Sequence, residues 1–365
     1  MTIIIKPTFN CNFRCLYCYL ANDIKADDFM MDVEVAKSIV KQAIDYCCLN
    51  HRKKLTLIWH GGEPLLWGND KFRHVFEYTA GLDAPLLVRH GIQTNLSLIN
   101  DNYIELFKSY DVRVGFSIDG VRDINDNLRL DMNGDGTFDL LMPKMRLCRE
   151  RGLNIGAIVV GSRLIKGRIA EIYEFLCMHR LNFKFNPLFL SGEATRADAI
   201  SVTPIEYADM SNHLFDLWFF DRDNHLKEST FTDIASYFVS TKKKSAGCMF
   251  SQNCQDDIVA ISPRGDIFPC GRFCETDTRY SYGNINEESL AVILQRRKKS
   301  LIYRRSEFIK KSGCYECWYY DLCHGGCLHD GFLRSGDFKS KTFLCTAYKK
   351  IFRHIESRLQ EAGMA

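Results

Sequence analysis

The chain has 365 residues, of which 46% are hydrophobic and 25% charged, so it can bury a full core and is expected to divide into two domains. A net charge of +3 gives no reason to expect nucleic acid or a membrane surface as a partner. No apolar run reaches the length of a membrane span, and no signal peptide is recognisable. Sixteen cysteines without a secretory signal predict a reduced, cytoplasmic metalloprotein.

The first half of the chain alternates short apolar runs with amphipathic stretches. One such stretch, Val33–Leu49, has apolar residues at helical spacing. Six strands are predicted: Ile3–Lys6, Leu55–Trp59, Leu86–Thr94, Val112–Ile118, Ile155–Val160 and Phe183–Pro187. Six consecutive β–α units predict an α/β fold with a parallel sheet that closes only partly, as a (β/α)6 barrel with helices outside. Such barrels place their active sites at the carboxyl ends of the strands.

The second part of the chain has a different composition. Two helices rich in Leu, Phe and Trp are predicted over Pro204–Phe220 and Phe231–Ser240. From Gly247 onward the chain is rich in turns and cysteines and has no long apolar run. Metal clusters are the expected means of stabilising such a segment. We therefore predict one domain over residues 1–240 and a cysteine-rich domain over residues 241–365.

Three cysteines follow the first predicted strand in the pattern C-x3-C-x2-C: Cys11, Cys15 and Cys18, with Tyr19 directly behind. Closely spaced thiolates suit an iron–sulfur cluster, and a four-iron cluster held by three cysteines keeps one iron open for a ligand. The alternatives are three thiols in a loop or a zinc site that lacks one ligand.

Eight further cysteines lie between residues 248 and 345. They run Cys248-x5-Cys254-x15-Cys270, then Cys314-x2-Cys317-x5-Cys323-x3-Cys327, and then Cys345. Eight thiolates are enough for two four-ligand clusters in which the protein holds every iron. Spacing alone leaves two structural zinc ions as an equal alternative.

Two further motifs stand at the ends of predicted strands. Gly61, Gly62 and Glu63 follow the second strand, where glycines allow the backbone to approach a ligand and a carboxylate can accept hydrogen bonds from an ammonium group. Ser117 ends the fourth strand and Arg129 follows it, offering a hydroxyl and a guanidinium suited to planar anions. Together these residues predict a pocket for a charged ligand.

These motifs resemble the radical S-adenosylmethionine (radical SAM) enzymes that carry a C-terminal SPASM domain. Gly283-Asn284-Ile285 and the glycine pair between Cys323 and Cys327 add to the likeness. The resemblance implies three [4Fe-4S] clusters and bound S-adenosylmethionine. The cofactor chelates the open iron at the triplet, and the first auxiliary cluster takes Cys248, Cys254, Cys270 and Cys327. The second auxiliary cluster takes Cys314, Cys317, Cys323 and Cys345.

The same resemblance assigns the cofactor contacts. Gly61, Gly62 and Glu63 hold the methionine amine, and Tyr19 lies near the adenine. Ser117 and Arg129 hold the ribose and the carboxylate. No catalytic acid or base is assigned.

Two groups within the family are most similar, the maturases of ribosomally made peptides and the anaerobic sulfatase-maturing enzymes. Both imply a precursor peptide or protein as substrate and a reductant such as flavodoxin or ferredoxin. In the sulfatase-maturing enzymes an Asp directly after the third auxiliary cysteine acts as a base, whereas this chain has Gly271 and then Arg272. We therefore expect oxidation of a peptide side chain, with a carbon–carbon or thioether crosslink as the leading product.

Several alternatives stay open. They are formylglycine formation on a sulfatase, dehydrogenation of a small molecule, and a carrier role in which the clusters only transfer electrons. The first strand is predicted to start at residue 3, which leaves no leader-binding domain before it. A separate leader-binding protein or direct binding by the barrel would then deliver the precursor.

Overall fold

The computed structural model describes residues 1–196, 198–223, 225–241, 243 and 245–364. Within these ranges the strands β1 to β9 are Thr2–Ile5, Lys54–Trp59, Leu87–Thr94, Arg113–Ser117, Ile155–Gly161, Asn182–Pro187, Ile258–Ile261, Asp266–Phe268 and Gly283–Asn284. The helices α1 to α13 are Val33–Leu49, Asn69–Ala80, Asp101–Ser109, Arg122–Asp126, Phe138–Glu150, Ile169–Met178, Pro204–Phe220, Ser229–Val239, Leu290–Arg296, Arg305–Ile309, Tyr320–Cys323, Leu328–Ser335 and Cys345–Glu361.

One sheet of nine strands organises the chain, in the order β6-β5-β4-β3-β2-β1-β7-β8-β9. The pairs from β6 to β1 are all parallel, so the carboxyl ends of six strands meet at one edge. β7 joins β1 in parallel, and β8 and β9 follow as antiparallel strands. The open parallel sheet expected from the β–α alternation is confirmed, and it continues into the cysteine-rich part through β7.

Alternation along the strands decides which side chains face the helices. In β2, Leu55, Leu57 and Trp59 are fully buried, and the ring of Trp59 packs edge-on against Phe72 of α2 at 5.4 Å between centroids. In a strand the intervening residues point to the opposite face. That inner face carries Ile4 of β1, which packs with Phe9 and Phe268.

All six predicted strands are present, with ends that differ by one or two residues. The helices over residues 33–49 and 204–220 have the predicted bounds. The next helix starts two residues earlier than predicted, at Ser229, because the carboxylate of Glu228 accepts a hydrogen bond from the backbone of Phe231 and caps the first turn. This cap is local chemistry that the apolar pattern does not reveal.

The cysteine-rich part packs closely against the barrel. Its last helix, α13, lies against α7 and α8, and apolar residues from α13 belong to the same buried core as those of the sheet. The predicted domain boundary near residue 240 falls directly after α8 and remains a prediction. Among the described residues, no helix is long and apolar enough to cross a membrane.

Candidate functional site

The cysteine triplet lies in the loop that leaves β1. The thiols of Cys11, Cys15 and Cys18 act on one another electrostatically, so the three side chains stand close together. Burial raises the pKa of the Cys15 thiol to about 11, and the charge of Arg129 opposes that rise. Iron binding requires thiolates, so a cation at this loop would supply the charge that burial disfavours.

Gly61 and Gly62 pack against the strand-to-loop segment that leads into Cys11. A Cβ at Gly61 would overlap the carbonyl oxygen of Thr8, and one at Gly62 would overlap those of Phe9 and Asn10. Gly61 also has φ of +136°, a conformation that favours glycine. The close approach that these glycines permit is thus to the chain's own backbone, which fixes the cysteine loop above β2.

Glu63 is fully buried at the end of β2 and joins three segments. One carboxylate oxygen accepts from the backbone of Leu65 at 2.9 Å and from the hydroxyl of Thr94 at 2.7 Å, and the other accepts from the backbone of Asn95 at 2.6 Å. Burial raises the pKa of Glu63 to about 7, and only uncharged hydrogen-bond donors lower it. A carboxylate has about four acceptor sites, so this one has room for one more donor.

Arg129 and Asp119 form a buried ion pair at the end of β4. Nε of Arg129 donates to Asp119 at 2.9 Å, and the side chains are 6% and 0% exposed. The hydroxyl of Tyr17 donates to the same carboxylate, and the Arg129 guanidinium lies 5.2 Å from the centre of the Tyr17 ring. This pair ties the cysteine loop to the sheet, which is a structural use of Arg129 that the sequence did not indicate.

Ser117 and Tyr19 contact residues of the chain that face the inside of the sheet. The Ser117 hydroxyl accepts from Gln93 of β3 at 3.1 Å. The Tyr19 ring lies 4.9 Å from the ammonium of Lys6 and edge-on to His60 at 6.2 Å. Burial lowers the pKa of His60 to about 4, helped by the charge of Lys6, so the imidazole is neutral near pH 7. Cofactor contacts for both Ser117 and Tyr19 remain predictions.

Lys6 was not singled out by the sequence and is the residue that links both parts of the chain. It is 0% exposed, and its ammonium donates to the carbonyl oxygen of Cys274 at 2.6 Å. The loop that follows the third auxiliary cysteine is thereby fixed over β1. A buried lysine next to an apolar strand such as Ile3–Ile5 is a signal that sequence reasoning could have used.

The first predicted auxiliary set is brought together. Burial raises the pKa of the Cys254 thiol well above its usual range, and three neighbouring thiols raise it further: Cys270, Cys327 and Cys248. Arg272 donates to the sulfur of Cys327 at 3.5 Å and to the carboxylate of Asp330 at 2.8 Å, and it stacks on the ring of Phe189. Four mutually interacting thiols beside a cation are a suitable donor set for a four-iron cluster.

The second predicted auxiliary set lines a single cavity near α13. Its wall includes all four of the assigned cysteines: Cys314, Cys317, Cys323 and Cys345. Burial raises the pKa of Cys323 to about 12, and the other three thiols contribute to the rise. Arg305 is buried between the two sets, because its charge acts on Cys254 and Cys327 of one and on Cys314 and Cys323 of the other.

The described residues hold no group of three or more His, Cys, Asp or Glu side chains spaced to hold a single metal ion. A four-iron cluster has a different requirement, since each corner takes its own thiolate. The three groups of three, four and four cysteines fit that requirement in number and chemistry. Glu63, buried without a cationic partner, fits the ammonium of S-adenosylmethionine.

The comparisons with known proteins agree with this site. Residues 5–176 match the Radical SAM superfamily model, and residues 248–318 match the iron–sulfur cluster-binding domain called SPASM. The chain therefore belongs to the radical SAM superfamily. More narrowly, it is a member that carries a SPASM domain behind the barrel.

Two curated relatives match along most of their length. A cysteine-type anaerobic sulfatase-maturating enzyme of Clostridium novyi is 27% identical over 98% of this chain and 96% of that protein. A serine-type anaerobic sulfatase-maturating enzyme of Klebsiella aerogenes is 25% identical over 89% of this chain and 79% of that protein. The structure of native anSMEcpe with bound AdoMet and Cp18Cys peptide superimposes with a TM-score of 0.84 at 20% identity, covering 99% of this chain and 98% of that one, which establishes the likeness in fold.

Proposed function

We propose that this radical SAM enzyme oxidises a side chain of a peptide or protein substrate. When bound, the triplet cluster and S-adenosylmethionine supply a 5′-deoxyadenosyl radical that removes a hydrogen atom from the substrate. The observation that carries the proposal is the position of the auxiliary loop relative to the triplet. Both lie over β1, one at its end and the other against its inner face.

The loop behind Cys270 provides that placement. A Cβ built on Gly271 would lie 3.3 Å from the terminal methyl of Ile4, and the carbonyl of Cys274 accepts from Lys6. A substrate held at this face has the triplet on one side and the first auxiliary set on the other. An electron left on the substrate after hydrogen removal then has an acceptor close by, which favours a net oxidation.

A crosslink between side chains is the product that the local residues favour. Position 271 faces Ile4 and carries no side chain, and the next residue, Arg272, is a cation bound to Asp330. A carboxylate base is thus absent from the position that serves it in sulfatase maturation. Bond formation between a carbon radical and a second carbon or sulfur atom places no such demand on residue 271.

Formylglycine formation is the second candidate, and the similarity to cysteine-type and serine-type sulfatase-maturating enzymes along nearly the whole chain favours it. The same similarity puts peptide substrates ahead of dehydrogenation of a small molecule. For either reaction we expect three [4Fe-4S] clusters and a cytoplasmic reductant such as flavodoxin or ferredoxin. A separate leader-binding protein belongs only to the crosslinking case.

Mass spectrometry of two peptides distinguishes the candidates. Reconstituted enzyme, S-adenosylmethionine and dithionite are incubated without oxygen with the short peptides encoded beside the gene and with a peptide spanning the modified Cys or Ser of a sulfatase. A crosslink appears as the loss of two hydrogen atoms without a new aldehyde, and formylglycine as an aldehyde that reacts with a hydrazide. No mass change in either peptide, with Cys11→Ala as the background, would contradict the proposal.

A further inference from the structure

Buried charges surround the cysteine triplet on two sides. Glu63 acts electrostatically on Cys11, and Lys25 and Arg129 act on Cys15. Arg129 already has a carboxylate partner in Asp119. Glu63 and Lys25 have no oppositely charged partner within the part of the chain that the structure describes. One uncompensated anion and one uncompensated cation thus flank the loop.

Lys25 is the more unusual of the two. It lies in a short 3-10 helix, Ile24–Ala26, and is only 1% exposed. Its ammonium nitrogen is buried and has no hydrogen-bond partner among the described residues. The segment is held in place, since the backbone of Asn22 donates to Glu193 at 2.8 Å. Native proteins rarely bury an ammonium without a partner, so such a group indicates a ligand or a bound water.

The two charges match the two ends of an α-amino acid. The methionine part of S-adenosylmethionine carries an ammonium and a carboxylate, and both must lie near the triplet if they chelate its open iron. We propose that Lys25 binds the carboxylate of S-adenosylmethionine, while Glu63 on the opposite side of the loop receives the ammonium. This inference rests on the proposed function, because it presupposes that the cofactor binds at the triplet.

The assignment gives Arg129 a different role from the one predicted from sequence. Its charge is shared with Asp119, and Tyr17 donates to the same carboxylate, so Arg129 positions the cysteine loop. Lys25 carries a full charge with no such competitor. A charge-assisted hydrogen bond in a buried site is about twice as strong as a neutral one, so Lys25 is the better carboxylate ligand.

The test compares binding of S-adenosylmethionine with that of its decarboxylated analogue. Equilibrium dialysis against the reconstituted wild type, Lys25→Met and Lys25→Arg measures both ligands. Lys25→Met should weaken binding of S-adenosylmethionine about tenfold or more and leave the analogue within about threefold. Lys25→Arg should retain most of the preference for the carboxylate. Lys41→Met, which changes an exposed lysine paired with Asp45, serves as the matched control and should bind both ligands like the wild type.

Two results would overturn the inference. Unchanged binding of S-adenosylmethionine by Lys25→Met would mean that the ammonium holds only water. Equal weakening of both ligands would mean that Lys25 supports the loop without touching the carboxylate. Should Lys25→Met fail to take up iron, Lys25→Gln carries the same comparison. A wild-type enzyme that binds no S-adenosylmethionine would instead contradict the proposed function itself.

Discussion

The carboxylate of Glu63 accepts a hydrogen bond of 2.6 Å from the backbone N–H of Asn95, and this contact joins the end of β2 to the end of β3. The neighbouring hydroxyl of Thr94 donates to the other oxygen. Glu63 therefore fixes the pocket edge while still lacking a cationic partner. Its protonation should respond to the cofactor.

The first prediction concerns pH and the Glu63→Gln variant. Burial raises the pKa of Glu63 from about 4.5 to about 7, so the folded protein binds a proton there that the unfolded chain has lost. Stability from this group is present below pH 4.5 and falls as the pH rises to 7, by about 3 kcal/mol. Thermal unfolding without S-adenosylmethionine should show the wild type losing stability relative to Glu63→Gln across that window.

Addition of S-adenosylmethionine should reverse this loss, because its ammonium compensates the ionised carboxylate. The wild type should therefore gain more from the cofactor at pH 8 than at pH 5, whereas Glu63→Gln should not. Glu34→Gln, at an exposed position on α1, is the matched control and should follow the wild type. A pH profile of Glu63→Gln that is parallel to that of the wild type would show that Glu63 is already ionised and compensated.

The second prediction concerns the close approach at Gly62. A methyl group in Gly62→Ala would overlap the carbonyl oxygens of Phe9 and Asn10, and backbone atoms cannot yield as a flexible side chain can. We expect a loss of about 2 kcal/mol or more in the free energy of unfolding and loss of iron from the triplet. Gly156→Ala in β5 is the control, since its nearest neighbour would be 3.6 Å away. Normal iron content in Gly62→Ala would show that the loop adapts.

The third prediction concerns the buried pair of Arg272 and Asp330. Asp330 is 0% exposed, and one of its oxygens has no partner in the described part of the chain. Arg272→Met would leave this carboxylate buried without its cation and should destabilise the protein by about 3–5 kcal/mol. The double change Arg272→Met with Asp330→Leu should recover most of that loss. Denaturation of the three variants measures the recovery, and a double variant no more stable than Arg272→Met would mean that the cation mainly supports Cys327.

The fourth prediction concerns the grouping of the auxiliary cysteines. Cys254 and Cys327 belong to one set and Cys345 to the other, although Cys327 lies among the cysteines of the second set in sequence. The double variant Cys254→Ala with Cys327→Ala should lose about one third of the iron, and Cys254→Ala with Cys345→Ala about two thirds. Iron analysis and absorbance spectra measure this directly. Equal losses in the two double variants would mean that the grouping is wrong.

The sheet and the cysteine sets could be predicted from the sequence because their signals are local. Apolar runs such as Leu55–Trp59 indicate buried strands, and the spacing of Cys11, Cys15 and Cys18 indicates one loop. The pairing of β7 with β1 could not be predicted, since the run Ile258–Ile261 is short and its partner lies at the other end of the chain. Register between distant strands depends on packing that periodicity does not encode.

The charged residues of the site were the least predictable part. Lys6, Lys25 and Asp119 look like ordinary surface residues in the sequence, and all three are buried. Each becomes informative only when tertiary contacts show what it meets: the carbonyl of Cys274 for Lys6 and the guanidinium of Arg129 for Asp119. Burial of a charge is a property of the fold, so sequence spacing gave no indication of it.

Formation of 5′-deoxyadenosine tests the central claim most directly. Reconstituted enzyme is incubated anaerobically with S-adenosylmethionine and dithionite, and the products are separated by chromatography. The wild type should form 5′-deoxyadenosine and methionine, and Cys11→Ala should form none while keeping its auxiliary iron. Absence of 5′-deoxyadenosine from a wild-type enzyme with all three clusters, or its formation by Cys11→Ala, would contradict the account.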